Sequence, residues 1–228
     1  MDTEEPKHEA VPETRGRVIH WARFYDAASW VMSLGGGSKT DREIVERAGV
    51  RAGEKVLDVG CGTGAQTLPA AEKAGPGNVA GIDASPEMIQ VAREKAAKKG
   101  LNIDFRVAAI EDLPFGEGEF DVVLSGFMLH HLPEDVQRRG FAEVRRVLKP
   151  GGRLLAVDMV SGRSLLGRII GLFGHAHRPH SIERIKDALR QAGFDNVEEL
   201  ESPQRHLFFL RALASAGAQV KGEKVRDD

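Results

Sequence analysis

The sequence predicts an α/β protein with a doubly wound, Rossmann-like and mostly parallel sheet of about seven strands. Short apolar runs alternate with helical patterns through the middle of the chain. Runs such as KVLDVG, 55–60, are apolar throughout, which is typical of parallel strands that are buried on both faces. Two late strand patterns, 197–202 and 206–212, are joined by a connection short enough for a hairpin. The C-terminal edge of the sheet is therefore expected to be antiparallel.

The individual elements are read from the same pattern. Helix 86–99 has the clearest ends, because Ser85 can cap its first turn, Pro86 suits its first position and Gly100 can close it. Further helices are predicted at 65–74, 133–148 and 181–192, and further strands at 78–83, 103–108, 120–126 and 153–159, with a loop at KPGG, 149–152.

The chain is long enough for one sizeable domain, and it shows no repeat or long linker. We expect a single domain over residues 15–213, of which 15–50 form a helical cap or lead-in. The charged residues 1–14 predict a disordered lead, and residues 214–228 predict a charged tail.

Composition limits the classes of function. The 32 basic and 34 acidic residues give a net charge of −2, which argues against a surface dedicated to nucleic acid. The single cysteine, Cys61, excludes an intramolecular disulfide and a cysteine-rich zinc site. The opening residues are polar, and no run approaches the roughly 20 apolar residues of a spanning helix. We therefore expect a cytoplasmic protein without a transmembrane segment.

The strongest motif is VLDVGCGTGAQTL, residues 56–68, in which a strand pattern runs into Gly60, Gly62 and Gly64 and then into a helix. Glycine is needed where the chain turns sharply or where backbone approaches a ligand closely. In an open parallel sheet such a loop lies at the carboxyl edge, where ligands bind. The motif predicts a ligand-binding loop, with a tight turn that binds nothing as the alternative.

Asp83 ends the second strand pattern, 23 residues after Gly60. A carboxylate at that place can accept hydrogen bonds from two ribose hydroxyls, although it also suits a turn at the end of a strand. The loop and Asp83 together suit either a nicotinamide cofactor or S-adenosylmethionine. The loop reads Gly-x-Gly-x-Gly, with Ala65 where a dinucleotide motif has its third glycine. This spacing disfavours NAD as the cofactor without excluding it.

Five motifs in order decide between these cofactors: VLDVGCGTG, GIDASPEMIQVARE, EDLPF, FDVVLSGFMLHHL and LKPGGRLLAVDM. The series resembles the class I S-adenosylmethionine-dependent methyltransferases, and within them the ubiquinone/menaquinone-methyltransferase-like branch, over about residues 20–212. The resemblance implies transfer of a methyl group from S-adenosylmethionine to a small, hydrophobic acceptor of quinone-like, lipid or natural-product type. It does not choose among C-, O- and N-methylation.

The resemblance also implies which residues hold the cofactor. The glycine loop would surround its methionine end, Asp83 would bind the ribose, and Tyr25 from a lead-in helix would cover the site. The implied cofactor-binding residues are Tyr25, Asp58, Gly60, Cys61, Gly62, Gly64, Asp83, Ala84, Met88, Ile110, Glu111 and Ser125.

One position departs from the family pattern. The family often has an acidic residue just before the position of Ile110, where it accepts the adenine amino group, but this chain has Ala109. The backbone at Ile110, or the carboxylate of Glu111 or Asp112, would then have to recognise adenine. Ala109 also favours one alternative, a protein that binds S-adenosylmethionine without turnover and acts as an interaction partner. A second alternative is an NAD-dependent oxidoreductase, for which no hydride-site pattern is present.

A base is needed only if the acceptor carries a proton that must leave. His130 and His131, directly after the fourth strand, are candidates because histidine titrates near neutral pH. Tyr25 is the third candidate. The alternative for the LHHL segment is a purely structural helix start or packed loop.

A second histidine cluster, GHAHRPH, contains His175, His177 and His180. Three imidazoles can bind a metal, but the run has no carboxylate and contains glycine and proline, so we expect a mobile substrate lid and no metal site. The apolar segment before it, 163–174, can wall an acceptor pocket, touch a membrane surface or simply pack on the sheet.

Overall fold

A computed structural model describes residues 12–16, 37–159, 182–202, 204 and 206–215 of the chain. The strands within these residues are β1 (Val56–Val59), β2 (Val79–Asp83), β3 (Asp104–Val107), β4 (Phe120–Gly126), β5 (Leu148–Met159), β6 (Phe194–Leu200) and β7 (Leu207–Ala214). The helices are α1 (Gly37–Arg47), α2 (Thr67–Ala74), α3 (Pro86–Lys98), α4 (Glu134–Val147) and α5 (Ile182–Gln191), with a short 3₁₀ turn at Leu129–His131.

The described strands form one seven-stranded sheet in the order β3-β2-β1-β4-β5-β7-β6. Neighbouring strands from β3 to β5 run parallel, whereas β7 is antiparallel to both β5 and β6. The predicted fold class, with its C-terminal antiparallel hairpin, is confirmed. Within that hairpin β7 is inserted beside β5, so that β6 forms the edge of the sheet.

The sheet has an apolar layer on each face. In β5, Leu154 and Ala156 belong to a core cluster with α4 and α5, whereas Leu155 and Val157 belong to a cluster with α1 and α2. This alternation follows from the strand period of two. Because both faces are covered, strands such as β1 are buried at every position.

Two predicted boundaries were wrong for related reasons. The KPGG segment, expected as a loop, belongs to β5, because Leu148 pairs with Phe120 and the register shifts before Val122 pairs with Arg153. Strand β6 starts at Phe194, earlier than the predicted 197, and its register shifts after Asp195. In both places a local irregularity of the β-bulge type lets the strand continue through residues that a sequence pattern assigns to a turn.

Strand β1 lies in the middle of the parallel part of the sheet, with β2 on one side and β4 on the other. The strand order therefore reverses at its carboxyl end, and such a switch point opens a crevice for a ligand. The predicted lead-in helices at 22–37 lie outside the described residues, and the predicted domain limits stay a prediction. No helix among the described residues is long and apolar enough to cross a membrane.

The close packing of α4 on the sheet depends on Gly140. A Cβ atom at this position would lie 2.7 Å from Cγ1 of Ile110. We expect Gly140→Ala to lower the free energy of unfolding by about 1–3 kcal/mol through overpacking, although alanine favours helix by about 1 kcal/mol over glycine. Urea unfolding measures the change.

The matched control places Gly140→Ala in an Ile110→Ala background, which removes the side-chain atoms that would clash. There the substitution should become stabilising, since only the helix propensity remains. An increase in stability in the wild-type background would contradict the packing argument.

Candidate active site

The three glycines after β1 all lie in the left-handed region, with φ of +71° at Gly60, +52° at Gly62 and +84° at Gly64. This backbone conformation disfavours any side chain at the three positions. At Gly60 a Cβ would also lie 2.7 Å from Sδ of Met128, whereas at Gly64 it would make only an ordinary 3.5 Å contact with Ala92 of α3. Gly62 has no atom within 4 Å of its Cβ position. The loop therefore presents bare backbone at Gly62 to a cavity that it lines.

Asp83, at the end of β2, is bound to this loop. Its Oδ2 accepts a hydrogen bond of 3.0 Å from the Gly62 amide, and its Oδ1 accepts one of 2.9 Å from the Ser85 amide. A carboxylate has about four acceptor positions, so two remain for hydroxyl groups in the cavity. Burial raises the pKa of Asp83 above its usual value, while the two amide hydrogen bonds oppose that shift.

Asp58 and Cys61 lie beneath the loop and not on the cavity wall. Asp58 is only 1% exposed and accepts a 2.6 Å hydrogen bond from the Thr67 hydroxyl. Burial raises its pKa to about 7, and the charges of Asp41 and Asp83 add to that shift. Burial also raises the pKa of the Cys61 thiol, so this thiol stays protonated. The structure places both residues under the predicted methionine end, without cavity contact of their own.

The opposite end of the cavity is apolar, with one carboxylate. Its wall includes Ala84 and Met88 after β2, and Ala109, Ile110 and Glu111 after β3. Glu111 accepts a 2.7 Å hydrogen bond from the hydroxyl of Thr14. An aromatic base fits between such side chains. Of the residues predicted to recognise adenine, Ile110 and Glu111 line this end, whereas Asp112 does not.

The end of β4 carries two buried polar side chains. Ser125 Oγ and Gln66 Oε1 have no hydrogen-bond partner among the described residues. The Gln66 amide lies directly against the α-carbon of Gly126, where a Cβ would overlap it. The next residue, Phe127, has φ of +56°, an uncommon conformation for a bulky residue that is often found at functional sites. Neither Ser125 nor Gln66 is on the cavity wall, which Gly126 and Phe127 line at this end.

The two histidines of the LHHL segment occupy different places. His131 lines the cavity. The His130 ring lies against it at an interplanar angle of 47°, with ring centroids 3.8 Å apart. Nδ1 of His130 and Oδ1 of Asp158 share a hydrogen bond of 2.7 Å. The other oxygen of Asp158 accepts the backbone amide of His130 at 2.9 Å. Asp158 is 2% exposed, so it fixes both the backbone and the ring of His130.

Several predicted residues lie outside the described part of the chain: Tyr25, His175, His177 and His180, with the apolar segment 163–174. Their predicted roles are untested. Within the described residues, no group of three or more histidine, cysteine, aspartate or glutamate side chains could hold a metal ion.

Sequence reasoning missed Thr14, Gln66, Met128 and Asp158. A signal for Asp158 was present, because β4 and β5 are consecutive parallel strands and Ser125 pairs with Ala156. A histidine just after β4 and an aspartate at the end of β5 can therefore be expected to lie close together. Thr14 had no such signal, since it lies 97 residues from Glu111 in a segment expected to be disordered.

Comparison with known proteins agrees with this geometry. Residues 56–152 match the family described as methyltransferase domain. The chain is 32% identical to the ubiquinone/menaquinone biosynthesis C-methyltransferase UbiE of Francisella philomiragia over 86% of this chain and 88% of that protein. It is 30% identical to the O-methyltransferase cnsE of Penicillium expansum over 92% of this chain and 78% of that protein.

A solved structure shares the architecture as well. An S-adenosylmethionine-dependent methyltransferase from Methanosarcina mazei superimposes with a TM-score of 0.60 and 25% identity, over 74% of this chain and 95% of that one. The chain spans only 40% and 61% of the length of two other curated relatives that it matches.

The chain therefore belongs to the class I S-adenosylmethionine-dependent methyltransferases. Within that class it belongs to the branch of the ubiquinone/menaquinone methyltransferases. This membership decides the choice of cofactor in favour of S-adenosylmethionine, and it decides against the nicotinamide-dependent alternative.

The raised pKa of Asp58 predicts a pH-dependent stability. Between its usual pKa of 3.8 and about 7, the unfolded carboxyl ionises while the folded one keeps its proton. The folded state then binds more protons, so the free energy of unfolding falls as pH rises. We expect Asp58→Asn to remove about 2 kcal/mol of that fall between about pH 5 and about pH 7.

Urea unfolding at the two pH values measures the effect. The matched control is Asp104→Asn, an exposed carboxylate at the start of β3, which should leave the pH dependence of stability as in the wild type. An equal fall in Asp58→Asn and in the wild type would refute the assignment.

Proposed function

We propose that the protein is an enzyme that transfers a methyl group from S-adenosylmethionine to a small, hydrophobic acceptor, and that His130 removes a proton from this acceptor. The hydrogen bond between His130 and Asp158, beside the cavity, is the observation that carries the proposal. An orienting carboxylate behind a histidine is the arrangement of a general base.

The cavity fits the cofactor in two respects. Gly62 leaves room for close approach to backbone, and Asp83 keeps two acceptor positions for ribose hydroxyls. When bound, S-adenosylmethionine supplies a methyl group activated by a sulfonium. The contribution of the protein is then to position the acceptor in line with that group and to exclude water.

His130 has the geometry of a base whose ring orientation is fixed. In the neutral tautomer with its proton on Nδ1, the ring donates the 2.7 Å hydrogen bond to Asp158 and carries its lone pair on Nε2, which takes up the proton of the acceptor. His131 lines the cavity next to this ring, where it can contact the acceptor. Tyr25, the third predicted catalytic residue, lies outside the described residues.

The acceptor is proposed from the wall on the histidine side. Phe127, Met128 and Leu132 line the cavity there, which favours an apolar ring over a charged group. One relative is named a ubiquinone/menaquinone biosynthesis C-methyltransferase and another an O-methyltransferase. A quinol or phenol is common to both chemistries, because it carries a hydroxyl proton that a base can remove before either carbon or oxygen is methylated.

Binding of the cofactor without turnover is the second candidate. The observation that favours it is Ala109, which lines the adenine end and has no acceptor side chain. Production of S-adenosylhomocysteine that depends on an added phenol or quinol distinguishes the two functions, since a binding protein would produce none.

The role proposed for Asp83 gives a sharp binding test. Asp83→Asn replaces the charged acceptor, and hydrogen bonds to charged groups contribute about 1.5–3 kcal/mol. Titration calorimetry should therefore show affinity for S-adenosylhomocysteine falling by about 10-fold or more, with no binding of NADH by either protein.

The matched control is Asp104→Asn, whose carboxylate lies three residues from the carboxyl end of the neighbouring strand. Its affinity should stay within about 2-fold of the wild type. Unchanged affinity in Asp83→Asn would exclude the ribose role, and binding of NADH alone would exclude the cofactor.

The base is tested with His130→Gln. General base catalysis contributes about 10²–10⁴-fold, so the single-turnover rate of methyl transfer to a panel of phenols and quinols should fall by that factor. Affinity for S-adenosylhomocysteine should change by less than about 3-fold, because His130 is not among the residues proposed to hold the cofactor. A rate equal to that of the wild type would refute the role of His130.

A further inference from the structure

Residues 12–16 form a short N-terminal strap that is bound to the rest of the site by one hydrogen bond and one ion pair. Thr14 donates its hydroxyl proton to Glu111 Oε1 at 2.7 Å and accepts the Gly16 amide at 3.0 Å. Arg15 forms an ion pair with Asp135 at the start of α4. The strap joins two surfaces of the site that are remote in sequence.

Gly16 brings the strap very close to the cavity wall. A Cβ at this position would lie 2.9 Å from a methyl group of Leu132, so a larger residue would require that side chain to move. Thr14, Gly16 and Leu132 all line the cavity. The strap therefore forms part of the site and is held on both sides, by Glu111 and by α4.

Glu111 is the unusual member of this arrangement. Its Oε1 is bound to Thr14, but its Oε2 is buried and has no hydrogen-bond partner among the described residues. A buried carboxylate oxygen without a donor has lost its hydration and gained no partner in exchange, and this cost is larger when the group is charged. A donor supplied by a ligand would remove that penalty.

The wall around Glu111 indicates which ligand group can supply the donor. Ala84, Met88, Ala109 and Ile110 are apolar and line the same end of the cavity. The neighbouring carboxylate, Asp112, is exposed. Among the side chains on this wall after β3, only Glu111 can accept a hydrogen bond at the edge of a base. The exocyclic amino group of adenine has two N–H donors and no acceptor requirement.

We propose that Glu111, held in place by Thr14, recognises the amino group of adenine and thereby selects the adenine nucleoside. Thr14 acts as a positioning residue, because its hydroxyl occupies one oxygen and aims the other. This inference rests on the proposed function, since it assigns a specificity-determining residue within the proposed cofactor site. It also explains how the site dispenses with an acceptor at Ala109.

The test compares S-adenosylhomocysteine with S-inosylhomocysteine, in which an oxo group replaces the amino group, by titration calorimetry. The wild type should prefer the adenine ligand by about 10-fold or more, because the oxo group would face a carboxylate. In Glu111→Gln the amide can also donate to the oxo group, so the preference should shrink to about 3-fold or less.

Asp112→Asn is the matched control, because it neutralises the adjacent, exposed carboxylate. It should keep the wild-type preference. The proposal would be overturned if Asp112→Asn lost the preference for the adenine ligand while Glu111→Gln kept it. If the wild type binds S-adenosylhomocysteine and Glu111→Gln keeps the wild-type preference for it, this inference alone would be overturned. A wild type that binds neither ligand would overturn the proposed function with it.

Thr14 supplies a second and independent test. Thr14→Val keeps the shape of the side chain but removes the donor, and it should weaken the preference for the adenine ligand by about 3- to 10-fold. Thr14→Ser should restore the preference, because the hydroxyl returns. If Glu111→Gln does not fold, the Thr14 pair decides: equal preferences in Thr14→Val and the wild type would contradict the proposal.

Discussion

The hydrogen bond from the Gly62 amide to Asp83 joins the loop after β1 to the end of β2, and the rest of the site depends on it. Parallel neighbours bring their carboxyl ends to one edge of the sheet. This bond fixes the distance between the two ends and leaves part of the Asp83 carboxylate directed to the cavity. Gly62 presents bare backbone there, while Asp58 and Cys61 are covered beneath the loop.

The site divides at the reversal of strand order next to β1. On one side, the ends of β1, β2 and β3 provide the glycine loop, Asp83 and the apolar wall for a base. On the other side, β4 and β5 end in His130 and Asp158, which are bound to each other. Binding groups and a reactive group thus come from opposite halves of one sheet.

Local sequence patterns were sufficient to predict the fold class and the cofactor end of the site. The glycine motif and Asp83 are each recognisable within a few residues, and buried strands with capped helices placed them at one edge. The insertion of β7 between β5 and β6 was not visible, because strand order depends on packing between distant segments. Thr14 and Asp158 were missed for the same reason, since their partners lie 97 and 28 residues away. The KPGG segment was wrongly predicted as a loop, because pairing of β5 with β4 outweighs the turn preference of its proline and glycines.

Cys61 gives the glycine loop an intrinsic chemical reporter. It is the only cysteine in the chain, and it is 6% exposed beneath the loop. A thiol reagent added to the folded protein can therefore react only at this residue and only when the surrounding segment opens. The alkylation rate then counts excursions of a single loop, without any introduced label. Occupancy of the crevice above it becomes readable as protection of one sulfur atom.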